Sequence, residues 1–123
     1  MSGDRIFADT SFLVNFFNGQ DIVRSLMEDK VIFISVITEM ELLSHPGLSE
    51  SNEKIIRDFL DQVVAIEIES DIRELAIKIR RKNKTKLPDA VIAATAIKYD
   101  LPLFTMDKDF GKIMELNSVI IKS

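Results

Sequence analysis

Apolar residues along the chain alternate between two patterns. Short runs rich in β-branched or aromatic residues read as buried strands: Arg5-Ile6-Phe7-Ala8, Val31–Ser35, Val63–Ile68, Leu103-Phe104 and Val119-Ile120-Ile121. Between them the apolar positions recur at helical spacing. An amphipathic segment from Phe12 to Phe17 ends at Asn18-Gly19, a short helix is predicted over Ile22–Asp29, and another over Val36–Leu43 stops before Pro46-Gly47. Ser49 or Ser51 is placed to cap a helix that runs to Gln62. Ser70 is placed to cap the next, which carries Ile72, Leu75, Ala76 and Ile79. Pro88 is expected to start a helix, because proline is tolerated in a first turn. Asp107 is expected to open the last helix.

Strands that alternate with helices predict an α/β domain with a central parallel sheet of about five strands and helices on both faces. Crossovers are expected to be right-handed. A chain of 123 residues is one domain's worth, so the expected domain spans 1–123. In such sheets ligands bind beyond the carboxyl ends of the strands. The site is therefore located before any motif is considered.

Composition narrows the chemistry. Cysteine is absent, which excludes disulfides and thiolate metal sites, and His45 is the one histidine. Oxygen ligands remain, and these favour magnesium or manganese. No apolar run is long enough to span a bilayer. The segment Met1–Asp9 is short and already charged, unlike a signal peptide, so a cytoplasmic protein without membrane contact is expected. The net charge of −4 does not describe a generally basic nucleic-acid binder. Arg80, Arg81, Lys82, Lys84 and Lys86 nevertheless form a run without a single acid. Such a patch suits a nucleic-acid backbone. It also suits a solvated helix end followed by a loop.

Asp9 and Asp107 both follow strands and precede helices, at the expected ligand edge, and Asp89 lies in the first turn of a helix. Each has a structural alternative, since an aspartate at a helix start caps backbone N–H groups. The helix after Asp89 reads Ala90-Val91-Ile92-Ala93-Ala94-Thr95-Ala96-Ile97, apolar nearly all round, and is expected to be buried. A partly buried carboxylate there needs a partner. A metal ion is one, and nearby Lys86 is another. Glu39 and Glu41 stand two apart and cannot point the same way on a helix; periodicity does not choose between them. Phe12, Phe16, Phe17 and Phe59 read as core, no aromatic array for stacking bases is evident, and His45 reads as a loop residue.

These residues, taken in order, resemble the PIN-domain ribonucleases, in particular the VapC-type toxins of VapBC toxin–antitoxin pairs. The resemblance rests on Asp9-Thr10-Ser11, on Ser35-Val36-Ile37-Thr38 leading to Glu41-Leu42-Leu43, on Leu87-Pro88-Asp89-Ala90 running into Ile92-Ala93-Ala94-Thr95-Ala96, and on Thr105-Met106-Asp107-Lys108-Asp109-Phe110. It implies a single PIN-like domain with Asp9, Glu41, Asp89 and Asp107 as the catalytic and metal-binding acids, and so selects Glu41 over Glu39. Asp109 is the fallback for the fourth acid, and Thr10, Ser11 and Thr105 match supporting hydroxyls. Ser44-His45-Pro46-Gly47 departs from the pattern, since many relatives have a glycine shortly after the Glu-Leu pair. The resemblance further implies Mg2+- or Mn2+-dependent hydrolysis of RNA to products with a 5′-phosphate and a 3′-hydroxyl. It also implies a small VapB-type antitoxin that can insert a basic side chain into the acidic pocket, and a homodimer. The basic run from Arg80 to Lys86 would then hold the RNA backbone. Two other readings differ in class. A receiver-like signalling domain shares the sheet type and an acidic magnesium site, but normally shows paired acids after its first strand. A catalytically silent PIN-like binding module would keep the fold without the chemistry.

Overall fold

The computed structural model describes residues 4–122. The expected domain of residues 1–123 extends beyond these at both ends, as does the first part of the Met1–Asp9 segment. The strands are β1 (Arg5–Ala8), β2 (Val31–Ser35), β3 (Val64–Ile66), β4 (Leu103–Thr105) and β5 (Ser118–Ile120). The helices are α1 (Thr10–Phe17), α2 (Asp21–Met27), α3 (Val36–Leu43), α4 (Glu50–Leu60), α5 (Ser70–Asn83) and α6 (Leu87–Lys98), and a 3₁₀ turn covers Lys108–Lys112.

Side chains along a strand alternate between the two faces of the sheet, and β1 shows what this does. Ile6 and Ala8 enter one core with Phe12, Leu13, Ile34 and Phe104. Phe7 enters the other, with Ile72, Ala90, Ile92 and Leu103. Ile6, Phe7 and Ala8 are fully enclosed, as expected of a central strand, and only Arg5 at its start is exposed. The order is β3-β2-β1-β4-β5, and every neighbouring pair is parallel. Phe7 pairs with Phe33 on one side and Leu103 on the other. Parallel neighbours require crossover connections; helices supply them up to β4, and the 3₁₀ turn Lys108–Lys112 supplies the one from β4 to β5. The expected α/β fold, a five-stranded parallel sheet between helical layers, is the observed one.

Helix α6 is the buried helix its sequence predicts: every residue from Ala90 to Ala96 is enclosed. Its far end is tied to the start of α5 by Lys98, whose ammonium lies 2.9 Å from Glu69 and 2.8 Å from Asp71. Ser49, not Ser51, caps α4 by accepting from the N–H of Asn52.

Several boundaries shift by a residue or two, among them the end of α2 at Met27 rather than Asp29, the end of α4 at Leu60 rather than Gln62, and β5 at Ser118–Ile120 rather than Val119–Ile121; three other differences have a visible cause. The third strand is only Val64–Ile66, because it is an edge strand whose first two residues are exposed, and a Glu69-to-Glu67 backbone bond turns the chain soon after it. Ser70 is the first residue of α5 and not its cap. Glu69 takes the cap position but its side chain makes no capping bond, being held by Lys98 and Tyr99. Asp107 opens a 3₁₀ turn of five residues rather than an α-helix, and Ile113 has already returned to extended backbone. Among the described residues no helix is long and apolar enough to cross a membrane.

Candidate active site

From β1 the chain moves outward through β2 to β3, then returns to the other side of β1 as β4. The crevice between the carboxyl ends of β1 and β4 is therefore the switch point where open α/β sheets bind ligands. Asp9 follows β1 and Asp107 follows β4, so one aspartate stands on each bank.

Asp9 is 4% exposed. One carboxylate oxygen accepts from the backbone N–H of Phe12 at 2.9 Å and the hydroxyl of Ser11 at 2.8 Å; the other accepts from the Thr105 hydroxyl at 2.5 Å. The same hydroxyls stitch the two banks together. Ser11 Oγ accepts from the N–H of Met106 at 3.1 Å, and Thr105 Oγ1 from that of Asp107 at 3.0 Å. Capping and site placement are thus not alternatives at Asp9: capping α1 is what fixes the carboxylate at the crevice. Asp107 likewise accepts from the N–H of Asp109 at 2.9 Å.

The other two acids come from helices. Glu41 lies on α3, and its Oε1 accepts from the Thr10 hydroxyl at 2.6 Å. Asp89 sits in the first turn of α6, half-buried beside Pro88 and Ile92. Asp9, Glu41, Asp89 and Asp107 all line one cleft of about 240 Å³, with Thr10, Ser11 and a single cation, Lys86. Glu39 does not line it. Asp109 is exposed and contributes only its backbone N–H. His45 is exposed in the loop after α3.

Electrostatics mark the cleft as short of positive charge. Burial pushes the Asp89 carboxyl above its ordinary range; Asp107 and Asp9 push it further, Lys86 opposes them, and Glu41 adds to the rise. Asp9 is also raised, by burial first, although Thr105, Phe12 and Ser11 pull it back. A carboxyl raised by folding favours the folded state when protonated and loses that contribution as pH rises through its folded value. The metal-free protein should therefore lose stability as pH climbs out of the ordinary carboxylate range towards neutrality. At neutral pH Asp89→Asn should melt higher than the parent in EDTA, by on the order of 2–4 °C. Melting of the two proteins at pH 4 and pH 7 checks this; an equal or lower melting temperature for the variant at pH 7 contradicts the reading.

The cleft holds only oxygen donors of the hard type that magnesium and manganese prefer. A divalent cation would supply the charge that one lysine does not, so the donor set fits such an ion. Among the described residues no three acidic or histidine side chains converge as a ready-made cluster; the acids line the walls of the cleft instead.

The basic run divides. Lys86 lines the acidic cleft. Arg80, Arg81 and Lys84 line a separate cavity, and Lys82 turns elsewhere, 3.6 Å from Glu115. Thr38 escaped the sequence reading. It is wholly buried, 3.2 Å from the Thr10 hydroxyl that serves Glu41. Its spacing from Glu41, one helical turn, is the signal that could have found it.

Comparison with known proteins agrees with this architecture. The family model described as PIN domain matches residues 6–116. No curated protein matches the sequence. Among solved structures, a toxin–antitoxin complex from Klebsiella pneumoniae contains a chain 32% identical, with a TM-score of 0.82 over 93% of this chain and 95% of that one. VapBC2 from Rickettsia felis, bound to a promoter DNA fragment, gives 0.85 at 21% identity over 96% and 99% of the two chains. DNA-bound VapBC from Salmonella typhimurium gives 0.80 at 19% identity over 94% and 97%. The last two speak for the fold alone.

Proposed function

This chain belongs to the PIN domain family, and on that premise we propose that it is a Mg2+- or Mn2+-dependent ribonuclease, cutting within RNA as the toxin of a toxin–antitoxin pair. The observation that carries the reading is that four carboxylates from four separate segments line one cleft at the switch point, with, among the described residues, a single lysine beside them. The strand order counts against the receiver-like alternative, whose sheet runs 2-1-3-4-5.

In this scheme Asp9, Glu41, Asp89 and Asp107 hold the metal. Bound there, divalent metal supplies a water of lowered pKa and stabilises charge on the leaving oxygen. The chain's own groups do the rest. Ser11 and Thr105 fix both oxygens of Asp9. Thr10 holds one oxygen of Glu41 and leaves the other without a partner among the described residues. Lys86 offsets part of the repulsion between an RNA phosphate and the acids. Pro88 and Ile92 give the cleft an apolar side that limits water.

The full domain is proposed as 1–123, in a cytoplasmic protein that forms homodimers. A small VapB-type antitoxin is the proposed partner, its basic side chain complementing the acidic cleft. That the matched Klebsiella pneumoniae chain comes from a toxin–antitoxin complex supports this.

End-group analysis of the cleaved RNA tests the reaction. Products should carry a 5′-phosphate and a 3′-hydroxyl, as the family resemblance implies, with an activated water attacking phosphorus and the 3′-oxygen leaving. Cyclic 2′,3′-phosphate ends would mean attack by the neighbouring 2′-hydroxyl, a route that does not use this carboxylate cleft, and would overturn the proposal.

A further inference from the structure

Side chains three and four apart share a helix face, and this spacing sorts the cations of α5. Ile77, Arg80, Arg81 and Lys84 follow the spacing i, i+3, i+4, i+7, and with Thr85 and Leu87 they line a cavity of about 460 Å³. Lys82 belongs to the face of Lys78 instead. Basic residues in a last helical turn suit the helix dipole. That accounts for Arg80 and Arg81 but not for Lys84, which lies past the helix end in the left-handed region at φ 55° and still lines the same cavity. Thr85, just beyond Lys84, lines the same cavity.

The cavity is also linked to the acidic cleft through shared walls. Leu87 lines both the basic cavity and a neighbouring apolar hollow, and Pro88 lines both that hollow and the cleft. Thr85 and Asp89 are four positions apart, a backbone span of at most about 14 Å. A strand with its scissile phosphate at the carboxylates and its chain laid over Leu87 and Pro88 would bring a later phosphate to Arg80, Arg81 and Lys84. We propose that this cavity is a phosphate subsite, holding one RNA backbone phosphate a few nucleotides from the cut and so fixing the direction in which the strand crosses the cleft. The inference rests on the ribonuclease reading of the cleft. The short walk from this cavity to the cleft, over Leu87 and Pro88, selects the substrate itself over an acidic segment of a partner protein.

The test is a coupling experiment between protein charges and RNA charges. Single-stranded RNA with a mapped cut is made with one neutral methylphosphonate linkage at a time, and binding is measured in EDTA. For the wild-type chain, neutralising one linkage at a fixed distance from the cut, on one side only, should weaken binding about five- to tenfold. In the Arg80→Gln/Lys84→Gln double variant the same linkage should cost nothing further, and the salt slope on unmodified RNA should fall by about 1. With metal present, KM should rise while kcat stays within about twofold. Lys54→Gln/Arg57→Gln, the same charge change on exposed α4 positions, should leave the linkage profile intact, and matching melting temperatures would show that all variants fold. If the wild-type chain cuts RNA but no linkage couples to Arg80 and Lys84, the subsite is wrong and the nuclease reading stands. A shift of the double variant's affinity for an acidic peptide, without any change towards RNA, overturns it in favour of a protein-docking role. If the wild-type chain neither binds nor cuts RNA, the nuclease reading fails and the subsite falls with it.

Discussion

Asp9→Asn is expected to lower the rate of RNA cleavage by about 10²–10³-fold while leaving the fold intact and its melting temperature no lower than the parent's. The separation follows from the two jobs of this side chain. As the cap of α1 it needs acceptors, and the amide oxygen of asparagine still accepts from Phe12 N–H and Ser11 Oγ. The amide nitrogen would face Thr105, whose hydroxyl can turn to accept. As the most buried acid of the cleft it needs charge, and asparagine has none. Asparagine therefore keeps the cap and removes the negative charge that would hold a divalent cation. Steady-state cleavage assays paired with thermal melts check both halves. A variant that cuts like the parent would remove Asp9 from the chemistry, and one that fails to fold would show that its capping role alone explains its place.

The largest effect on stability is expected at Phe12→Ala, a loss of about 3–5 kcal/mol. Phe12 is fully enclosed, and its ring meets Phe104 edge-on at 5.8 Å between centroids. The substitution removes a large apolar side chain from under the switch point and leaves a cavity between α1 and β4. Domains of ordinary stability have only about 5–15 kcal/mol in all, so the variant should melt on the order of 10–20 °C lower. Because Phe12 N–H is also the group that Asp9 caps, loosening this turn should cost activity at temperatures where the variant is still folded. Denaturant titration and cleavage at low temperature measure the two effects. A midpoint within about 0.5 kcal/mol of the parent's would mean that α1 is not anchored as described.

The parts legible in the sequence were those where local pattern and global position agree. The run Ala90–Ala96, apolar nearly all round, read as a buried helix, and Pro88 marked its start. Asp9 and Asp107 were placed by topology, since each follows a strand. Glu41 was different. Helix α3 is short, buries Thr38 and Leu42 on different turns, and leaves both glutamates near its boundary, so periodicity held no information; the family resemblance singled it out, and in the structure Glu41 rather than Glu39 lines the cleft. The third strand was drawn too long because an apolar run does not reveal where an edge strand loses its one neighbour. The basic run misled by adjacency: Arg81 and Lys82 are consecutive, but consecutive helical residues point about 100° apart. Lys82 accordingly faces Glu115 while Arg81 faces the cavity. Capping residues were read from residue type, and Ser70 shows the limit of that, because tertiary partners of Glu69 decided which residue took the cap position.

The most direct measurement of the central claim is the initial rate of RNA cleavage by the purified chain as free Mn2+ is raised from zero in an EDTA-treated sample. The account predicts no cleavage without metal, and a rate that climbs with Mn2+ and saturates. Cleavage that proceeds at the same rate in EDTA as at saturating Mn2+ would contradict it.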